Sequence, residues 1–359
     1  MRRFGYVVVV GLTLLAAACS SSSGSKSGSG GASSPTSGPT EVTPASAVRA
    51  APSAGCTAKG GAPAAGSTKQ TITSGGAERW FWLDVPPAVS DGKPMPLVLD
   101  LHGYSEGADV HVAMSGLGKF GEGEGFVTLT PHGSGVVPMW DTGLQSADMD
   151  FLGDALDTVE AQVCIDTNRV YTTGLSNGAF MTSAVACRYN DRIAAVAPVA
   201  GARVITGCEL SRPVPIVSFH GTDDGFVSYD GGLGEAAMNL PAPDGSGKKL
   251  GDSLTEEQLA DMRGASASIP DTMQAWAVRN GCPKGHREQQ VAEDVTRFVY
   301  DCPPLKAVEL YRVTGGGHTW PGSPVSEAAG TLIGHTTMNI SADEIMWKFF
   351  QDHPLRPGS

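Results

Sequence analysis

Short, nearly continuous apolar runs recur along this chain, separated by segments whose apolar residues fall at helical spacing. Residues 79–85 read as an early strand, ended by Pro86-Pro87. Residues 96–101 are almost wholly apolar, the pattern of a parallel strand covered on both faces. Residues 125–131, 169–173, 193–199 and 215–219 predict further strands, and 308–313 the last one. Phe151, Leu152, Ala155, Leu156, Val159 and Val163 share one helical face and predict an amphipathic helix over 150–163. Residues 179–186 are helix-like, and a final helix begins at Ser341. There Ser341 and Glu344 fit a capping box, and Ile345, Met346, Phe349 and Phe350 form the apolar face. Strands alternating with helices predict an α/β fold, a mostly parallel doubly wound sheet with helices on both faces. Residues 230–270, rich in Gly, Pro, Asp and Lys, break that alternation and read as an insertion or lid over the sheet edge.

Composition divides the chain before this region begins. Arg2 and Arg3 precede an apolar stretch, 6–18, too short for a stop-transfer helix, so 1–19 read as an export signal. Ala16-Ala17-Ala18-Cys19 resembles a bacterial lipobox with Cys19 as the lipid-carrying residue, although alanine stands where leucine is usual. Ordinary signal-peptidase cleavage and full secretion are the alternative. Residues 20–54 are nearly all Ser, Gly, Ala, Pro and Thr and cannot bury enough apolar surface to offset their ordering entropy, so they read as a tether. The remaining stretch, 55–359, is long enough for one large catalytic domain.

The formal net charge of −12 and the lack of a basic run argue against nucleic-acid binding. No protein partner is implied, and a membrane would be met only through the lipid anchor. Besides Cys19, six cysteines remain: Cys56, Cys164, Cys187, Cys208, Cys282 and Cys302. An even number in an exported chain suggests disulfides. Sequence proximity favours Cys282–Cys302 and Cys187–Cys208, which leaves Cys56–Cys164; other pairings stay open. Zinc is the competing use of these residues, but no C-x-x-C or His-Glu-x-x-His is present, so no metal is expected.

The candidate chemistry centres on Gly174-Leu175-Ser176-Asn177-Gly178, which lies between a strand-like and a helix-like run. That is the setting of a nucleophile elbow, a sharp turn that presents Ser176 Oγ above the end of a parallel sheet. A serine needs a base, an orienting acid and oxyanion donors to act at neutral pH. Asp223 and Asp224, in a turn after the 215–219 strand, are the acid candidates, the other being a turn cap. His318 follows a glycine run after the last strand and is the base candidate. His102 and His220, in His-Gly pairs at strand ends, read as structural, and His335 and His353 lack the glycine-loop setting. The oxyanion donors are expected to be the backbone N–H groups of Asn177 and Tyr104. Trp140 and Trp320 are expected to wall the substrate pocket.

Leu101-His102-Gly103, the 164–171 segment CIDTNRVY, the elbow itself, Ala197-Pro198-Val199-Ala200-Gly201, His220-Gly221-Thr222-x-Asp224 and Gly316-Gly317-His318-Thr319-Trp320-Pro321-Gly322 together resemble the secreted polyhydroxybutyrate depolymerase and feruloyl esterase type of α/β-hydrolase. The resemblance spans about 56–350. It implies a triad of Ser176, Asp224 (rather than Asp223) and His318, with no cofactor. It also matches Trp140-Asp141 near the pocket and an acidic pair, Asp148 and Asp150, taken as structural. Polymer-degrading members often carry a further linker and binding domain that this sequence lacks, which points away from efficient attack on solid polyester. The 230–270 stretch is longer than the family minimum and is expected to reshape the cleft. The expected activity is an extracellular serine esterase acting on hydroxyalkanoate oligomers or on feruloyl and short-chain esters. A peptidase of the same fold and a non-catalytic binding lipoprotein are the alternatives.

Overall fold

The computed structural model describes residues 48–58, 63–255, 257 and 267–356. The export signal, Cys19 and the tether up to residue 47 lie outside the described residues, as do parts of the 230–270 stretch.

Among the described residues ten strands form one sheet: β1 (Gly66–Ser74), β2 (Ala77–Val85), β3 (Met95–Leu101), β4 (Val127–Pro131), β5 (Ile165–Leu175), β6 (Ala195–Val199), β7 (Ile216–Gly221), β8 (His286–Ala292), β9 (Val295–Tyr300) and β10 (Val308–Val313). Their order is β1-β2-β4-β3-β5-β6-β7-β10-β9-β8. The six central strands, from β4 to β10, run parallel, and an antiparallel pair flanks each side. The strand period of two explains the near-continuous apolar runs. Leu97, Leu99 and Leu101 of β3 point to one face with Val170, Ile216 and Leu310 of the neighbouring strands. Val98 points to the other face with Tyr171, Val217, Phe219 and Tyr311.

Helices cover both faces. Phe151, Leu152 and Leu156 of α3 (Ala147–Gln162), Met181 and Val185 of α4 (Asn177–Arg188), and Met273 and Trp276 of the Ile269–Arg279 helix seal the first face. Met346, Phe349 and Phe350 of the C-terminal helix Ala342–Asp352 seal the second, with Tyr171 stacked on Phe350 at 4.5 Å. Ser341 caps that helix, its Oγ accepting from the Glu344 N–H at 3.2 Å. Two shorter helices, α1 (Gly107–Ser115) and α2 (Leu117–Glu124), follow β3.

The disulfides are Cys56–Cys164, Cys187–Cys208 and Cys282–Cys302. Cys56–Cys164 spans 108 positions and fixes the entering chain to the start of β5, the kind of long closure that most restricts an unfolded chain. Residues 49–54, read from composition as the end of the tether, already pair with β5: the Thr167 N–H donates to Ala51 O and the Ser53 N–H to Ile165 O, both at 2.8 Å. Among the described residues no helix is long and apolar enough to cross a membrane.

Candidate active site

β5, β6, β7 and β10 lie side by side and parallel, so the loops leaving their carboxyl ends meet above one edge of the sheet. Ser176 follows β5 and is the residue before α4. Its backbone has φ 58° and ψ −115°, a conformation that a non-glycine residue adopts only when its surroundings impose it. The surroundings here are close-packed. A Cβ on Gly178 would lie 2.0 Å from Leu101 O, so only glycine lets the helix start this near the end of β3. The elbow is therefore a turn held between two strands, with the helix N-terminus directly behind Ser176.

Asp224 lies three residues beyond β7 and is buried; its neighbour Asp223 is exposed. Asp224 Oδ2 accepts from His318 Nδ1 at 2.7 Å, and Oδ1 accepts from the N–H groups of Phe226 and Val227, each at 2.9 Å. Burial alone would raise the Asp224 pKa; His318, its hydrogen bond, His220 and the Val227 N–H outweigh burial and hold the carboxyl below its ordinary range. His318 is 7% exposed and packs beside the Phe226 ring at 4.9 Å. Its loop runs against 333–335: the His318 N–H donates to Ile333 O, and a Cβ on Gly317 would lie 2.3 Å from the same oxygen.

His220 is the second imidazole at Asp224, its Nε2 2.9 Å from Val227 O and 3.4 Å from Asp224 Oδ2. Full burial lowers its pKa despite that carboxylate, so it sits neutral and donates from Nε2. His102 is neutral too. Burial brings its pKa down to about 4. Nδ1 lies 2.7 Å from Gly103 O and Nε2 accepts from the Gly133 N–H at 2.8 Å, which fixes the proton on Nδ1. Both are structural histidines.

The 102–104 loop faces the elbow from β3, and the Gly103 amide is held by Glu106 Oε2 at 2.6 Å. A Cβ on Gly103 would stand 3.6 Å from Ser176 Cβ. Among the described residues no protein acceptor takes the N–H groups of Asn177 or Tyr104. The Asn177 side chain has a role the sequence did not signal. Its Oδ1 accepts from Trp140 N at 2.7 Å and its Nδ2 donates to Trp140 O at 3.2 Å.

Trp140 and Trp320 are each 1% exposed, and neither is among the described residues that line the cavity below. Trp140 Nε1 donates to His102 O at 3.0 Å and braces the loop beside Ser176. Trp320 Nε1 donates to Asp343 Oδ1 at 2.8 Å, fixing the His318 loop to the C-terminal helix. Indole rings this large gain more from the core than from a wall, provided the N–H finds an acceptor. Asp148 is structural: it pairs with Arg79 at 2.8 Å and accepts from Ser134 Oγ and the Asp141 N–H. Asp150 is exposed on α3.

A cavity of about 700 Å³ has walls that include Phe180, Ala202, Arg203, Val227, Leu233 and Ile269. Phe180 lies one helical turn from Ser176, and Val227 donates to Asp224. The 230–255 segment reaches the same region, where Tyr104 Oη donates to Pro241 O at 2.8 Å. Among the described residues no group of three or more His, Cys, Asp or Glu is placed to hold a metal ion.

No family model matches the chain. It is similar to feruloyl esterase B of Piromyces equi, with 26% identity over 65% of this chain and 41% of that protein. It is also similar to poly(3-hydroxyalkanoate) depolymerase C of Paucimonas lemoignei, with 27% identity over 73% of this chain and 65% of that protein. Less than half the length of the feruloyl esterase is therefore spanned. Among solved structures, acetyl xylan esterase from Aspergillus awamori superposes with a TM-score of 0.51 and 16% identity, over 79% of this chain and 99% of that one. The chain has the α/β-hydrolase fold. Its α/β-hydrolase relatives fit the polyhydroxybutyrate depolymerase and feruloyl esterase type that the motifs resemble.

Proposed function

We propose that this chain is an exported serine hydrolase of carboxylic esters, acting through Ser176, Asp224 and His318 and an acyl-enzyme. The observation that carries this reading is the pairing of a strained, glycine-flanked Ser176 at the end of β5 with the buried His318–Asp224 couple at 2.7 Å, on neighbouring parallel strands. Asp224 accepts from Nδ1, so the neutral ring held in this way carries its free lone pair on Nε2, where it can take a proton. Ser176 Oγ attacks the ester carbonyl as its proton passes to Nε2. The N–H groups of Asn177 and Tyr104 bind the oxyanion, and the imidazolium then protonates the departing alcohol. Water, deprotonated by His318, releases the acid and restores Ser176.

The names of the relatives support esters of hydroxyalkanoic acids, or feruloyl and acetylated sugar esters, as the substrate range. Three disulfides favour an oxidising compartment, hence an extracellular site of action. Anchoring through lipidated Cys19, with 20–54 as the tether and 230–270 as an insertion bordering the cleft, is part of the same proposal. The test is hydrolysis of p-nitrophenyl esters, methyl ferulate and hydroxybutyrate oligomers by the purified protein beside Ser176→Ala. Turnover of at least one ester, lost in the variant, is the expected result. A folded protein that turns over none of them would overturn the reading.

A further inference from the structure

Among the described residues, the wall of the cavity holds a cation with no ion-pair partner. Arg203 follows β6 by four residues and lines the cavity. Its guanidinium carbon lies over the Phe180 ring, 3.5 Å from the centroid. Among the described residues no carboxylate pairs with it and no acceptor takes its side-chain N–H groups, and Nε is fully enclosed. Most other described arginines meet a carboxylate or a carbonyl: Arg79 and Asp148, Arg169 and Asp166, Arg192 and Glu160, Arg297 and Glu309. Among the described residues the cavity lining contains no Asp or Glu. Burial with no compensating charge depresses the Arg203 pKa, yet a guanidinium remains charged at neutral pH. Arg279, behind the same wall, donates to Ile205 O and likewise has no carboxylate beside it. Desolvating a cation in this way, inside a chain of formal net charge −12, leaves an unmet cost in the wall of this cavity.

Arg203 is also close to the chemistry along the chain's own packing. A Cβ on Gly201 would lie 2.8 Å from Ser176 O and 2.9 Å from Phe180 Cε1, so the strand end that leads to Arg203 rests on the elbow. Phe180, on which the guanidinium stacks, is one turn into the helix that Ser176 begins. A planar fork held over an aromatic ring, in a cavity whose described lining carries no acid, suits bidentate capture of a carboxylate.

We infer that Arg203 forms a carboxylate-binding subsite beside Ser176, so that the preferred ester carries a free carboxylate on the part that enters this cavity. This rests on the esterase reading above. It separates the substrate classes within that reading. A feruloyl ester has its only carboxyl consumed in the bond to be cut, whereas a hydroxyacid oligomer with a free acid end keeps one.

Two matched probe pairs test this. One is the 3-hydroxybutyrate dimer and its terminal carboxamide, which places the charge on the leaving alcohol. The other is monoethyl glutarate and its carboxamide analogue, which places the charge on the acyl side. In the native chain kcat/KM is expected to be about 10- to 100-fold higher for the acid of at least one pair, the scale of a charge-assisted contact. In Arg203→Met that preference disappears through KM, with kcat and the carboxamide nearly unchanged, and Arg203→Lys restores part of it. The responding pair assigns the side of the ester. Melting temperature supplies the structural control: it is expected to hold or rise in Arg203→Met, because an unpaired buried cation is removed. Equal rates for acid and carboxamide in both pairs, or an equal loss on both in Arg203→Met, would overturn the subsite while leaving the esterase standing. Calorimetric binding of the dimer to Ser176→Ala gives an arm independent of turnover. Binding that weakens about 10- to 100-fold on adding Arg203→Met supports the subsite even if the native chain cleaves nothing, and binding indifferent to Arg203 refutes it.

Discussion

Two buried histidines in this molecule sit against carboxylates in different geometries. His318 meets one carboxylate, Asp224, through Nδ1 at 2.7 Å. His111 is sealed between two. Its Nε2 lies 2.8 Å from Asp100 Oδ1, and its Nδ1 lies 3.2 Å from both oxygens of Glu106. With an acceptor at each nitrogen, both must carry protons. Burial would lower the His111 pKa, but Asp100 and Glu106 override it and push it up to about 10. His111 is thus a fixed cation, and His318 keeps one nitrogen open. The fixed one still bears on the site, because Glu106 also accepts from the Gly103 amide at 2.6 Å, in the loop that faces Ser176. One carboxylate leaves a ring nitrogen open, as the proposed base role needs; two make a structural ion that stiffens the loop beside it.

The strongest way to break this comparison is to exchange the consequences of losing each ring. His318→Asn is expected to reduce kcat by about 10⁴-fold or more with little change in unfolding free energy, and Asp224→Asn by about 10⁴-fold, because the amide stabilises the wrong imidazole tautomer. Steady-state kinetics beside denaturant titration checks both; a variant that kept a tenth of the native rate would remove His318 from the base role. His111→Asn is expected to act the other way. It leaves Asp100 and Glu106 buried without a cation and costs about 3–5 kcal/mol of stability, read from the urea midpoint.

A milder perturbation is pH. The folded-state pKa of His111 is raised, so its contribution is complete below the unfolded value near 6.5 and is lost as pH climbs towards about 10. Asp343 adds the same sign at lower pH: burial lifts its pKa to about 7, so the fold bears a growing cost as pH rises from the ordinary carboxyl range to neutrality. Unfolding midpoints at pH 6.5 and 9.5 should therefore fall with pH, and the fall above pH 7 should vanish in His111→Asn. A slope that survives in that variant would assign the effect elsewhere.

The same contrast marks what the sequence made legible. Strands buried on both faces announced themselves, and β3, β7 and β10 lie where the apolar runs put them. The edges did not. His286–Ala292 is polar and almost wholly exposed, and Gly66–Ser74 nearly so, and neither carries an apolar run to read. The start of β5 was missed because Asp166 and Asn168 are polar; Asp166 is buried only because Arg169 and the Ala51 amide satisfy it. The Ile269–Arg279 helix did carry a signal, a Ser268 cap, an early proline and Ile269, Met273 and Trp276 on one face, hidden at the end of a Gly/Pro-rich stretch. Around the site, order along the chain pointed to Ser176, to Asp223 or Asp224, and to His318, and the family resemblance chose Asp224. The Asp100–His111–Glu106 cluster, the Asn177 clamp on Trp140 and the unpaired Arg203 depend on which charges become buried together, and local pattern does not encode that.

The smallest expected effect is also the most informative about the fixed ion. Glu106→Gln keeps an oxygen for the Gly103 amide but removes one of the two charges that hold His111 protonated. If the cluster only stabilised the fold, the variant would lose stability and keep its kinetics. If it also positions the 102–104 loop, kcat falls about tenfold with KM nearly unchanged, since a misplaced oxyanion donor weakens the transition state and not the bound ester. A full donor loss costs about 10²–10³, so a partial one belongs below that. The stability slope above pH 7 should shrink in the same variant, because His111 then faces Asp100 alone at full charge. A normal kcat together with that reduced slope would confine Glu106 to the fold and leave Trp140 and Asn177 as the braces of the loop.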